Sequence, residues 1–323
     1  MVKKSRSLIV LCIVLMLFGL MGCGSSKEKQ NVLVVLGSQS DVTYKDTEKA
    51  AKQWAEEKNI SLQVVAPKLS TVYEQQKVLE NSMRENKWDL IVIEPLGSGE
   101  LYPVLDYAKQ QGSLVVAVQG SPKIHADYTI QPCDYKQLGT SMMDLFAEKM
   151  GNAGSYVTVV PTKDSEMILE EELACITQQK NQYQRMMAVS RLQEGSDIKS
   201  VYHMADALSE AYDMKGILFF SYIDGLGISQ WKQNTGNDLI AVGIGPEEVL
   251  GSAVDDGTIN AFFYWDRENL LRSSLEVGYK AMEGSISNDS DVITTKIDGY
   301  RTLRSLGDGI YYGNDMKTAD KEE

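Results

Sequence analysis

The chain has 323 residues, 43% apolar and 24% charged, with a formal net charge of -13. These are the proportions of a globular protein. The acidic excess excludes nucleic acid, whose phosphates require a basic face, and excludes a polybasic membrane patch; the surplus charge is read as solubility.

Lys3, Lys4 and Arg6 open the chain, and residues 8 to 21 are almost wholly apolar. A basic start, a short apolar stretch and a small residue before a cut have the layout of a secretory signal. The run of about 14 residues falls short of the ~20 that span a bilayer. It ends in Leu20-Met21-Gly22-Cys23, which resembles the bacterial lipobox. In that family the cysteine sulfur receives diacylglycerol and becomes the mature N-terminus. The resemblance implies a signal peptide over 1–22, lipidation at Cys23 and a flexible tether over 23–30. The protein would then meet the cell membrane through its N-terminal lipid only, facing outside the cytoplasm. Roughly 300 residues remain after such a cut, enough for two domains.

From residue 31 short apolar runs alternate with longer amphipathic ones. Strands are predicted at 32–36, 62–65, 90–93 and 114–118, with helices at 43–58, 72–85 and 101–110 between them. The pattern restarts with a helix at 135–149. Strands follow at 156–160, 185–189, 216–220, 239–242 and 259–264, and helices at 166–183 and 198–212. A short helix is predicted around 228–232 and a helical turn at 247–251. A helix at 268–282 and a strand at 292–297 close the series, and the polar, Gly-rich tail is expected to be loosely held. Val/Ile/Leu runs of this length suit strands buried on both faces, and alternation with helices implies parallel, doubly wound sheets. The fold class is α/β, with two such lobes.

The search for chemistry is negative. His125 and His203 have no metal-ligand spacing, and no Gly-x-Ser-x-Gly elbow, Walker loop or dinucleotide motif is present. Glu170-Glu171-Glu172 is read as a solvated helix face. Cys133 and Cys175 are read as two buried thiols rather than a disulfide. No enzyme activity and no cofactor are expected.

The element order, 128–139, 214–220 and above all Asp255-Asp256-Gly257-Thr258-Ile259 leading to Trp265-Asp266, resembles the ribose- and autoinducer-2-binding branch of type 1 periplasmic solute-binding proteins. The resemblance implies lobe one at 31–127 plus 266–289, lobe two at 133–262 plus 292–315, and a tail at 316–323. It also implies a three-segment hinge near Asp127, Tyr264 and Ser290.

Parallel α/β sheets bind ligands at the C-terminal ends of their strands. In lobe one those loops supply Ser38, Gln39, Asp41, Tyr44, Glu94 and Gln119. In lobe two they supply Thr162, Asp164, Arg191, Tyr222, Asp224 and Glu247, and the hinge adds Trp265 and Asp266. Planar rings can stack on a sugar-like ring, and carboxylates and amides can serve its hydroxyls. Ser38, Thr162, Asp164 and Asp224 suit helix capping or turns equally well. Sugar-binding relatives carry an Asp where this chain has Gln119, and another where it has Gly243-Ile244-Gly245. A modified sugar, polyol, nucleoside-like or signalling ligand therefore stays open. The expected protein is a monomer that captures a small polar ligand and delivers it to an ABC permease. The alternative is a sensory lipoprotein serving a membrane histidine kinase or chemoreceptor.

Overall fold

The computed structural model describes residues 29–97, 99–119, 124–161, 166–193, 197–286, 292–294, 301–305 and 310–314. In chain order the elements begin with β1 (Asn31–Val35), α1 (Tyr44–Lys58), β2 (Ser61–Val65), α2 (Val72–Glu85), β3 (Leu90–Ile93), α3 (Tyr102–Gln110), β4 (Leu114–Val118) and β5 (Tyr128–Gln131). Next come α4 (Tyr135–Met150), β6 (Gly154–Val160), α5 (Glu166–Gln182), β7 (Met186–Gln193), α6 (Ile198–Ala211), β8 (Gly216–Phe219), α7 (Tyr222–Thr235), β9 (Ile240–Ile244), α8 (Glu247–Asp255) and β10 (Ala261–Tyr264). The series ends with α9 (Arg267–Met282), β11 (Val292–Thr294), β12 (Arg301–Ser305) and β13 (Ile310–Asn314).

The strands form two sheets, one per lobe. The first runs β11-β5-β4-β3-β1-β2 and the second β13-β12-β10-β9-β8-β6-β7. The first is parallel throughout. In the second, β7 to β10 pair in parallel, while β12 and β13 add an antiparallel edge. Successive side chains of a strand point to opposite faces, and β1 shows both faces dry. Val32 and Val34 pack with Trp54 of α1 and Leu271 and Leu275 of α9. Leu33 and Val35 pack with Leu79 of α2 and Leu105 of α3. Burial on both faces is why this strand reads as an unbroken apolar run.

Local sequence accounts for the helix ends. Thr71 accepts a hydrogen bond from the Glu74 amide, the first half of a capping box, and α2 starts there. Asp134 caps α4 by accepting from the Lys136 and Gln137 amides, and α4 stops at Gly151, whose φ is 69°. Ser221 caps α7 through the Asp224 amide. That cap starts α7 at Tyr222, well before the short helix predicted around 228–232. Gly227 is needed there because a side chain would strike Val201 of α6.

Helix α9 packs on the first sheet although it follows the last parallel strand of the second, so the chain crosses back between the lobes. Trp54 Nε1 and Lys58 Nζ both reach Glu276, and Arg272 reaches Glu57 at 2.8 Å, which ties α9 to α1.

Three expectations need correction. The first crossing follows Gln131, not Asp127, because β5 pairs with β4 in the register Val116 to Tyr128. The third follows Thr294, not Ser290. Residues 292–294, assigned in advance to lobe two, pair in parallel with Thr129 to Gln131 of the first sheet. The tail also contributes order: β12 pairs with β10, Leu303 opposite Phe262. The signal segment, Cys23 and residues 316–323 lie outside the described residues. Cys133 and Cys175 are free and buried, as read from the sequence. Among the described residues no helix is long and apolar enough to cross a membrane, and no group of His, Cys, Asp or Glu is arranged to hold a metal ion.

Candidate functional site

A cavity of about 250 Å³ opens where the strand ends of the two lobes face each other. Gln119, just after β4, lines it from the first lobe. Tyr135, Pro161, Met167, Ile168, Glu171, Phe220, Ser221, Tyr222, Ile244, Gly245 and Pro246 line it from the second. Tyr264, Trp265 and Arg267 line it from the second crossing.

The strongest electrostatic feature joins distant segments. Arg267, at the start of α9, places Nη1 3.4 Å from Asp41 Oδ2 and Nη2 3.4 Å from Glu94 Oε1. Asp41 is fixed from its own loop by the Thr43 amide and hydroxyl at 2.9 and 2.7 Å. Glu94 accepts from the Gly37 amide at 3.1 Å. Burial disfavours the Asp41 carboxylate, but Arg267 and the Thr43 hydrogen bonds outweigh it and hold Asp41 below the usual range. Burial likewise opposes the Arg267 charge, and Glu94 and Asp41 more than restore it. Tyr222 belongs to the second lobe. Burial, then the charge of Asp41, push its phenol up, while Arg267 partly offsets them. Tyr222 and Arg267 line the same cavity.

Three buried donors at the cavity have no acceptor among the described residues: Tyr135 OH, Trp265 Nε1 and Arg267 Nε. Buried polar groups are nearly always hydrogen-bonded. The three are unspent hydrogen-bonding capacity just behind the cavity wall, and a bound molecule uses it where the side chain turns to present the donor. The rest of the wall is mostly apolar or aromatic, with Gln119, Glu171 and Ser221 as its further polar members, the character of a small-molecule pocket.

Of the residues named from sequence, Gln119, Tyr222 and Trp265 line the cavity. Asp41 stands behind them and orients Arg267. The others serve local structure. Ser38 bonds Ser40, and Gln39 donates to the Ala66 carbonyl at 2.9 Å. Tyr44 packs against the first-lobe core. Asp224 is fully buried and accepts from Ser221 Oγ at 2.7 Å. Asp266 is exposed and caps α9 through the Asn269 amide at 2.8 Å. Arg191 is paired with Glu172. Thr162 and Asp164 lie outside the described residues.

Sequence reasoning missed Tyr135, Glu171 and Arg267. Arg267 adjoins the Trp265-Asp266 pair and was passed over. The solvated-face reading of the 170–172 run is corrected, since Glu171 and Glu172 are both buried. Ile168, Glu171 and Cys175 are three and four residues apart, so helical spacing already put Glu171 on the apolar face of α5.

Two lobes with facing strand ends, joined by three crossings around a mainly aromatic and apolar cavity that carries a few polar groups, define a binding protein of the periplasmic type 1 architecture. The comparisons agree. A family model described as "Periplasmic binding protein domain" matches residues 32–286, and the chain belongs to that family. The glucose-galactose binding protein GanP from Geobacillus stearothermophilus superposes with a TM-score of 0.78 at 15% identity, covering 87% of this chain and 100% of its own. An ABC transporter solute-binding protein from Clostridium phytofermentas, solved with L-rhamnose, gives 0.75 at 15% identity over 91% and 98%. A carbohydrate transporter solute-binding protein from Agrobacterium radiobacter, solved with D-arabinose, gives 0.75 at 14% identity over 91% and 97%. Comparison with curated protein sequences found no match.

Proposed function

We propose that this protein is an extracytoplasmic solute-binding lipoprotein. It captures a small, polar, sugar-like molecule between its lobes and delivers it to an ABC permease. The observation that carries the reading is the inter-lobe cavity itself, whose wall sets Gln119, Ser221 and Glu171 among aromatic rings, with unpaired donors on Tyr135, Trp265 and Arg267 just behind its surface. A hydroxylated ring supplies several acceptors within a few ångströms, and the rings of Tyr222, Tyr264 and Trp265 suit its apolar faces. The structural relatives solved with L-rhamnose and D-arabinose support the same ligand class. A ligand that touches both lobes stabilises the closed state by its differential affinity for it, and the closed form is what a permease can recognise. Attachment at Cys23 would keep the protein beside its partner in the membrane.

Native mass spectrometry of the protein as it is purified, followed by calorimetric titration with neutral monosaccharides, tests the reading. A bound mass matching a carbohydrate and a saturable isotherm are expected. A protein that carries no small molecule and shows no heat with any monosaccharide would discard it.

A further inference from the structure

The three consecutive acids of α5 meet three different fates. Glu170 stands at the surface, 3.5 Å from Lys136 Nζ. Glu172 is buried and held by Arg191 through bonds of 2.7 and 2.9 Å. Glu171 is 3% exposed and lines the cavity. Among the described residues no cation lies within ion-pair distance of it.

The surroundings of Glu171 are uniformly unable to neutralise it. From α4 comes Tyr135, whose phenol is pushed well up by burial and then by Glu171 itself. From the segment before α4 comes Cys133, also pushed up by burial and by Glu171. On its own helix stand Cys175, pushed well up by burial and the same acid, and the negative Glu170. Among the described residues the one cation on the cavity wall, Arg267, is already shared between Asp41 and Glu94. Burial, then Glu170, raise the Glu171 carboxyl to about 8. A buried acid without a counter-charge is costly when ionised, and an incoming cation removes that cost. The rings of Tyr135, Phe220, Tyr222, Tyr264 and Trp265 share the wall, and aromatic faces attract cations.

We propose that Glu171 receives a positively charged group of the ligand, so that the protein selects an amino-substituted sugar over the neutral sugar of the same size. The inference rests on the solute-binding reading above and sharpens it. The ligand's hydroxyl and ring oxygens answer Tyr135 OH, Trp265 Nε1 and Arg267 Nε, and its ammonium answers Glu171. Anionic ligands, such as sugar phosphates and sugar acids, are disfavoured because the cavity has no uncommitted cation among the described residues.

The test is calorimetry with glucose, galactose, arabinose and rhamnose, each beside a derivative carrying one primary amine in place of one hydroxyl. At pH 7.5 at least one amine is expected to bind tenfold or more tighter than its neutral parent. Glu171→Gln, which keeps the shape and removes the charge, should erase that preference. A pH series on the unaltered protein needs no variant. Because Glu171 must ionise to meet an ammonium, amine affinity should rise from pH 6 to 8, with proton release seen in buffers of different ionisation heat. A neutral sugar that binds as tightly as its amine, with no rise in amine affinity over that range, overturns this inference and leaves the solute-binding reading standing. No binding by any of the eight compounds overturns both.

Discussion

Arg267 Nη1 lies 3.4 Å from Asp41 Oδ2 across 226 residues of chain. The pair joins the loop after β1 to the start of α9, and Glu94 completes it from the loop after β3. Arg267→Met leaves two carboxylates facing each other with nothing between them. Removing one partner of a fully buried pair costs roughly 3–5 kcal/mol. Here the Arg267 side chain keeps 23% exposure, so the expected loss is about 2 kcal/mol after allowing for solvent screening. Urea denaturation measures it, and cavity binding should weaken alongside. The pH dependence has a definite sign. Asp41 is held below its ordinary value, so its contribution is present above that value and is lost as pH falls through the lower, native one. The midpoint of the Met variant should change less on acidification than that of the parent protein.

Trp265 and Asp266 are neighbours with separable roles. Trp265→Phe keeps a ring in the wall and removes Nε1, the unanswered donor. The loss of one hydrogen bond to ligand corresponds to about 1 kcal/mol, roughly a fivefold rise in Kd, with thermal stability nearly unchanged. Asp266→Ala removes the α9 cap instead. It should cost about 1 kcal/mol of stability and leave affinity largely intact. Titration and thermal melting on both variants check the pair. Equal affinity losses in the two would mean that Asp266 reaches the ligand after all.

The elements legible in advance were those whose signals are local. Helix α2 has the bounds expected from sequence because its apolar residues recur at helical spacing, and the structure adds a local start at Thr71, which accepts from the Glu74 amide. The buried strands β1, β3 and β4 are legible from their short, almost wholly apolar runs rich in Val, Ile and Leu. What stayed hidden depends on distant partners. β5 is four residues long and its sequence reads as part of a crossing, because only its pairing with β4 and β11 makes it a strand. β12 has an alternation too short and polar to stand out, and its order comes from lying against β10. At the site, Trp265 was found because its motif is distinctive. Glu171 was not, because a triple-acid run masks the one member that turns inward.

Lys232 sits 5% exposed with its Nζ donating to the Leu239 carbonyl. Burial lowers its ammonium to about 8, against the partial support of Asp238 and Asp256. The unfolded chain holds that proton up to the ordinary lysine value of about 10.4. Between the two values the unfolded state binds more protons, so native stability should climb from pH 8 to about 10 and then level off. Below 8 the native state bears the whole cost of a buried ammonium. Lys232→Met should therefore stabilise the protein at pH 7 by about 1 kcal/mol, the gain being limited because the Leu239 carbonyl loses its donor. It should also abolish the alkaline rise. Denaturation midpoints at pH 7 and 10 decide it, and an unchanged rise in the variant would assign the titration to another group.

Gly139 controls how closely α4 approaches α5. A Cβ there would collide with the Glu171 carbonyl and lie 2.9 Å from Ala174 Cβ, while Cys175 Sγ donates to the Gly139 carbonyl at 3.0 Å. Gly139→Ala must push the helices apart, and overpacking of this kind costs about 1–3 kcal/mol. The displaced surface includes the α5 residues that wall the cavity, Met167, Ile168 and Glu171. Ligand affinity should therefore fall severalfold along with stability. Gly151→Ala is the informative contrast. Its glycine adopts a φ of 69° with open space around it, at the far end of α4. The strain of a left-handed alanine costs about 1 kcal/mol and moves nothing at the cavity. Gly139→Ala should thus lose both stability and affinity, and Gly151→Ala stability alone. A similar affinity loss in both would show that general destabilisation, not the position of α5, sets ligand binding.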